Sequence, residues 1–518
     1  MKKGLCLLLC VVMLLGIFVA CGGNDEPADS KASEGTTDSN RGGETTAPSS
    51  GDNPGGETTV PPSSETFVCE TPPPIICTLP PGKVPVDFDM SFTVLVRQNR
   101  HAWFWGTDKS TDEVSKAAYK RNNLLNEMYN IEIEILENAS DASTWRTTLN
   151  AADGTVHLAI PDAWWALEYE GVFINLLRRI EIDPSESHWI RGWNDNQIIN
   201  NRLYGIVGDA SLEVMENWEV LFYNRDMAKD LGYYEDIFNL VENGQWTVKE
   251  MMEIMDDFEL ALMDNDPSND VWGAVYDSGS MVQQLYSAGL SLLEINRYTN
   301  ILFDVSNTPK NIALTEDVRA LRHHKTMNYQ SSCPGSDMET KSNLFLAERT
   351  FFFGSDLLNG KAIKKSADFD YGVLVMPKHD AADDYRTGSY GVSFFTIPHS
   401  SSNKHASAVV LNTMNYLSGD GGKEKLGEDI LVDTFFETVV RTETSHGAED
   451  FAMLDRIKKS AYYAFSFIAQ NKISLQDSFV SSVHNNKSIA ATMDDVTKKA
   501  EDGIFEMMTF YGDARYAE

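Results

Sequence analysis

Phe92-Thr93-Val94-Leu95-Val96 is the first buried strand of the part of this chain that can fold, which begins near Phe88. A helical stretch starting near Thr111 follows it, then Ile131-Glu132-Ile133-Glu134-Ile135-Leu136, a second helical stretch from about Ser143 to Ala152, and Val156-His157-Leu158-Ala159-Ile160. The short aliphatic and β-branched runs read as strands. Thr111-Asp112-Glu113 is a helix start signal, and Val114, Ala118, Leu124, Leu125 and Met128 supply the apolar spacing behind it. Strand, helix, strand, helix, strand predicts successive βαβ units on a mostly parallel sheet, and so an α/β fold. Downstream, Val220–Tyr223, Gly273–Tyr276, Thr350–Phe353, Tyr371–Met376 and Val392–Ile397 read as further strands, and the chain from Lys404 onward reads as mainly helical.

With 518 residues the chain exceeds the size at which one hydrophobic core stops growing, so at least two lobes are expected. Its 42% hydrophobic and 10% aromatic residues support an ordinary core, and a mean hydropathy of -0.30 excludes a polytopic membrane protein. Asp and Glu number 77 against 43 Lys and Arg, a net charge of -34 that repels phosphate backbones and argues against a nucleic-acid partner.

Lys2 and Lys3 precede an uncharged run from Leu5 to Ala20, which is shorter than the roughly 18 to 20 residues a membrane span needs. This reads as a signal peptide, residues 1–20. Phe18-Val19-Ala20-Cys21-Gly22-Gly23 resembles a bacterial lipobox, with Phe18 where leucine is usual, and the resemblance implies that Cys21 is diacylated and anchors the chain to the outer face of the cytoplasmic membrane. An ordinary signal peptide cut nearby is the alternative. Cys6 and Cys10 leave with the signal, so Cys69, Cys77 and Cys333 remain; Cys69 and Cys77 could close a small loop or stay free. Residues 21–84 are rich in Gly, Ser, Thr, Pro and Glu and repeat Gly42-Gly43-Glu44-Thr45-Thr46 as Gly55-Gly56-Glu57-Thr58-Thr59, which reads as a disordered tether. About 60 such residues span about 45 Å.

Several segments, in one order along residues 87 to about 420, resemble the bacterial extracellular solute-binding proteins of carbohydrate-uptake ABC importers, the maltose-binding-protein-like family. They are Asp162-Ala163-Trp164-Trp165 with Gly171-Val172-Phe173-Ile174-Asn175-Leu176, then Ile182-Asp183-Pro184 through Trp189, and Leu203-Tyr204-Gly205 with Gly208-Asp209. Val220-Leu221-Phe222-Tyr223-Asn224-Arg225-Asp226 is similar to the family's crossing strand, with Arg225 in place of lysine, and Trp246-Thr247 opens a helix with Thr247 as its N-cap. Phe345 to Gly354 looks like the family's exposed helix and following strand, and Tyr371-Gly372-Val373 through Pro377 and Phe395-Thr396-Ile397-Pro398 complete the series. The resemblance implies a two-lobed periplasmic-binding-protein-like fold of the class II type with a cleft between the lobes. It divides the chain into an N-terminal lobe of 85–217 plus about 391–450 and a C-terminal lobe of 218–390 plus about 451–518. The chain would cross near Trp218 and return near Tyr390.

Ligands of open α/β sheets bind beyond the carboxyl ends of strands, so the loops after Val96, Ile160 and Phe353 should face the cleft. All ten tryptophans lie between Trp103 and Trp272, and Trp103, Trp105, Trp164 and Trp165 fall in two of those loops. A sugar offers an apolar C–H face and a rim of hydroxyls, which flat aromatic surface beside a carboxylate such as Asp162 can hold. The alternative is that these tryptophans plug the lobe surface. Transfer of the family's cleft positions marks Asn217, where relatives carry an acid, and Asp356, where a relative has a stacking Trp. Asp209 is a further candidate, with a turn role after Gly208 as its alternative.

Asp264-x-Asp266-x-Ser268-x-Asp270 has the alternating oxygens of a calcium loop, yet Asn269 stands in the place of the glycine and Val275 at the twelfth position, so a degenerate surface turn is the reading. His323-His324 are adjacent and do not share a helix face. The sequence has no His-Glu-x-x-His, Gly-x-Ser-x-Gly or phosphate-binding glycine loop. The expectation is therefore a monomeric, lipid-anchored importer component with a small-molecule ligand, most simply a sugar, a permease partner, no cofactor and no reaction of its own. A surface glycoside hydrolase, which would need two carboxylates about 5 to 10 Å apart, and a binding protein for peptides or another non-sugar solute are the alternatives.

Overall fold

The computed structural model describes residues 86–98, 106–107, 109–138, 142–151, 153–163, 171–258, 270–276, 278–296, 298–328, 338–389, 392–427, 430–464 and 473–512, all within the unit Pro72–Glu518. In it β1 (Met90–Arg97) leads into α1 (Glu113–Tyr129), β2 (Ile131–Asn138), α2 (Ala142–Ala151) and β3 (Val156–Ile160). These form a three-stranded parallel sheet in the order β2-β1-β3, with Phe92 beside Ile133 and Leu95 beside Ala159. Every residue of β3 is buried, as expected of a parallel strand covered on both faces. Helix α1 starts on Asp112, whose side chain accepts from Val114 N, and ends on Asn130 in a left-handed conformation. Between the caps, Val114, Ala117, Ala118, Arg121, Leu125 and Met128 repeat at helical spacing and make up its buried stripe.

The chain leaves this sheet through the short helix α3 (Leu212–Glu216) and enters a second sheet as β4 (Glu219–Asn224). Helix α4 (Val248–Asp256) and β5 (Trp272–Tyr276) follow, then α5 (Ser278–Ser287), the hairpin β6 (Leu293–Ile295) and β7 (Leu302–Asp304), β8 (Met327–Asn328), α6 (Met338–Leu346), β9 (Thr350–Asp356) and β10 (Tyr371–Val375). The order is β10-β4-β9-β5-β8. Here the expectation of parallel strands holds only in part: β5 runs parallel to β8 and β9, whereas β4 is antiparallel to β9 and β10. Glu219, the first residue of β4, therefore pairs with Asp356, the last of β9.

Helix α4 is capped as read from the sequence, Thr247 Oγ1 accepting from Glu250 N at 3.3 Å. Phe345 on α6 is fully buried against Phe353 and Phe369, so this helix turns an aromatic face to β9 and is not simply an exposed one. The expected strand Val392–Ile397 is a series of single antiparallel bridges, Ser393 to Asp162, Phe395 to Ile206 and Thr396 to Ala159. It alternates between two partners, which prevents a continuous ladder. The remainder is helical, including α7 (Lys404–Ser418), α8 (Leu431–Phe435), α9 (Ala448–Lys459) and α10 (Met493–Gly512). Phe92, Leu125, Ile133, Leu158, Phe395 and Leu411 form one core, and Phe222, Trp246, Phe352, Phe353 and Tyr371 are the centre of a larger one. Helix α8 packs on α1, and α9 on β10. Among the described residues no helix is long and apolar enough to cross a membrane.

Candidate ligand-binding cleft

Two sheet edges carry the polar groups that sequence reasoning sought. On the first, Arg97 at the end of β1 donates from Nη1 to Asp162 Oδ2 at 2.7 Å, just past the end of β3. Asp162 is bridged to Ser393, whose N–H donates to Glu213 Oε2 at 3.3 Å. Asn217 caps α3, and its Nδ2 donates to Glu213 O at 2.9 Å.

On the second edge, β4 begins with Glu219, paired across the ladder with Asp356 at the end of β9. Glu219 is buried and accepts from Ser280 Oγ at 2.9 Å, while its own N–H donates to Gly388 O at 3.0 Å. Asp356 Oδ1 accepts from Asn359 N at 3.1 Å and Asn359 Nδ2 at 3.0 Å. Burial, reinforced by the Glu219 carboxylate, pushes the Tyr276 hydroxyl far above its ordinary value, and that hydroxyl donates to Gln284 Oε1 at 3.1 Å. Between the two sheets the outgoing segment at Trp218 pairs antiparallel with the returning one at Ser389.

Asp162 is linked through Ser393 and Glu213 to the helix that Asn217 caps, and Asp356 lies across the ladder from Glu219, two residues beyond Asn217. Asp209 does not join them by contact: its N–H donates to His188 O, and its carboxyl lies behind Gly419 at the end of α7, where a Cβ would collide with Oδ2. Trp103, Trp105, Trp164, Trp165, Asp264 and Asp266 lie outside the described residues, as do Cys21, Cys69, Cys77 and Cys333. Asp270 is described, and its carbonyl accepts from Arg349 Nε at 3.0 Å. No group of three or more His, Cys, Asp or Glu positioned for a metal occurs among the described residues. Trp145, Trp189, Trp193, Trp218 and Trp246 are all buried core residues.

Sequence reasoning missed Arg97 and the buried acids Glu213, Glu216 and Glu219. Their signal was available, since three glutamates recur at intervals of three just before and at the crossing strand. Carboxylates and amides at these strand ends can accept and donate hydrogen bonds, and Arg97 holds the Asp162 carboxylate through an ion pair.

Two α/β sheets joined by paired crossing segments make up the fold of two-lobed binding proteins. No family model matches the sequence, and no curated protein matches it. Among solved structures the fold is similar to the sugar-binding protein MalE of Xanthomonas citri, at 14% identity and a TM-score of 0.55, covering 82% of this chain and 99% of that one. The cyclic α-maltosyl-1,6-maltose binding protein of Arthrobacter globiformis matches at 12% identity and a TM-score of 0.53, covering 82% of this chain and 99% of that one. The maltose-binding MalE of Listeria monocytogenes, solved with maltose, matches at 11% identity and a TM-score of 0.53, covering 81% and 98%.

Proposed function

We propose that this chain is the solute-binding component of an ABC importer, that it captures a mono- or oligosaccharide between its lobes, and that it catalyses no reaction. The observation that carries this reading is the pair of strand edges, Arg97 with Asp162 on one sheet and Glu219 with Asp356 on the other, beside the paired crossing segments. Structures of like fold carry names that describe maltose and cyclic maltosyl-maltose binding, which supports the choice of a carbohydrate. In this reading Asp162 and Asp356 accept hydrogen bonds from sugar hydroxyls, Asn217 contributes an amide, and Trp103, Trp105, Trp164 and Trp165 offer stacking faces. The lobe division drawn from the sequence, the lipid anchor on Cys21 and placement on the outer face of the membrane belong to the same proposal.

A thermal-shift screen of mono- and oligosaccharides, followed by calorimetric titration, tests it. A ligand at 100 times its dissociation constant adds about 2.7 kcal/mol of stability. Trp164→Ala or Trp165→Ala should weaken that binding by about 1 to 3 kcal/mol while the fold survives. Unchanged affinity in both variants, with a loss of about 3 to 5 kcal/mol in unfolding, would make these residues core plugs. Turnover of a nitrophenyl glycoside would favour the hydrolase.

A further inference from the structure

Arg386 stands three residues before Ser389, and among the described residues it forms no ion pair. Its guanidinium lies over the Tyr462 ring, 4.5 Å from the centroid, and Nη1 donates to Gly289 O at 3.4 Å. A guanidinium carries five N–H donors, so most of the fork is unused. Stacking on the ring orients the fork without occupying a donor. By contrast Arg97, Arg225 and Arg456 each meet a carboxylate at 2.7 Å, as expected in a chain with 77 acidic residues against 43 basic ones.

Arg386 and Tyr462 are walls of a cavity of about 360 Å³ that none of the strand-edge residues lines. That volume is in the range of small-molecule sites. Ile198, Leu293 and Ile295 give the cavity apolar surface. Its two amides direct their N–H groups to the protein itself, Asn196 to Gly192 O and Tyr463 O, and Asn300 to Asn201 Oδ1. Two carboxylates border it, and both are engaged: Glu294 Oε1 accepts from Ser291 Oγ at 2.9 Å, and Asp195 pairs with Arg191 at 3.5 Å. Arg386 is thus the cation on these walls with donors to spare. The two acids add a selection of their own, because they repel a molecule that brings several negative charges and tolerate one whose single charge sits on the arginine. More distant acids matter less, since their field is screened over about 8 Å at physiological ionic strength.

We infer that this cavity is a second ligand site, for a small monocarboxylic acid whose carboxylate pairs with the Arg386 fork and whose carbon skeleton lies along Ile198, Leu293 and Ile295. Calorimetric titration of the whole chain with butyrate, benzoate, citrate and the neutral benzamide, with no sugar present, tests this independently of the strand-edge site. Butyrate or benzoate should saturate the protein with a dissociation constant below about 10 mM, and benzamide and the polyanion citrate should bind at least about tenfold more weakly. Arg386→Gln should weaken the acid about tenfold or more, and Arg386→Lys, which keeps the charge and loses the fork, by less. Ile295→Trp leaves every charge in place, narrows the cavity and should weaken the acid as well. Lys423→Gln, which removes an exposed cation outside the cavity, should change nothing. Unfolding midpoints measured beside the titrations separate loss of binding from loss of fold. Failure of both acids to saturate below about 10 mM overturns the proposal. So does benzamide binding as tightly as benzoate, or an Arg386→Gln variant whose affinity stays within about twofold of wild type.

Discussion

Asp209→Asn should stabilise the protein in alkaline solution and leave it unchanged in acid. Burial, with added repulsion from Asp420 and Asp433 and against the attraction of Lys458, pushes the Asp209 carboxyl from 3.8 up to about 7. The folded chain therefore keeps this proton over a range in which the unfolded chain has lost it. Below about pH 4 both states are protonated and the group is neutral in its effect. As pH rises from there towards 7 the folded protein loses stability, because the native state binds the extra proton, and the loss is complete above 7. A rise of about three pH units corresponds to about 4 kcal/mol as an upper figure. Asparagine keeps the shape behind Gly419 and never ionises. Urea unfolding at pH 4, 6 and 8 should therefore show variant and wild type within about 0.5 kcal/mol at pH 4 and the variant ahead by at least about 2 kcal/mol at pH 8. A difference independent of pH, or a variant less stable at pH 8, would refute the reasoning. The first result would mean that the carboxyl titrates normally, and the second that its ionised form is held by a partner that asparagine cannot replace.

Two further outcomes follow from single residues. Arg225, just past β4, meets Asp450 of α9 through two bonds of 2.7 and 3.3 Å, with Asp370 and Glu449 at 3.6 and 3.7 Å, and Asp450 also accepts from Val373 N of β10 and from His446 N. Asp450→Ala should cost about 3 kcal/mol in denaturant unfolding, since Val373 N and His446 N lose their acceptor and Arg225 keeps only the more distant Asp370 and Glu449, and Asp450→Asn should cost less, because its amide oxygen still accepts. At the other end of the chain, Cys21→Ser should release the protein into the medium or leave an unprocessed precursor in membrane fractions; retention and processing like the wild type would remove the lipid anchor from the proposal.

How much of this was legible in the sequence depends on the range of the interactions involved. The first sheet could be read almost residue by residue, β3 at Val156–Ile160 included, since a parallel strand buried on both faces must be an unbroken apolar run. Thr247 could be read as a cap, and Thr111-Asp112-Glu113 as a helix start whose cap is Asp112, because a cap is a contact between residues two or three apart. The candidate site was legible in part. Asp162 follows a strand end and could be placed from pattern, Asp356 was marked only through the family resemblance, and Arg97 and Glu219 take their meaning from partners 65 and 61 residues away, Asp162 and Ser280.

The direction of β4 belonged to the tertiary structure, because nothing in Glu219–Asn224 records the edge from which a strand enters its sheet. The same holds for Asp209, which precedes Gly419 by more than 200 residues and acquires its perturbed carboxyl only when α7 closes over it. Composition and local spacing specify which faces must be buried. They do not specify which buried face meets which, and that is decided by long-range packing, the step that also brings Asn200 to Asn300 and Trp193 to Tyr463.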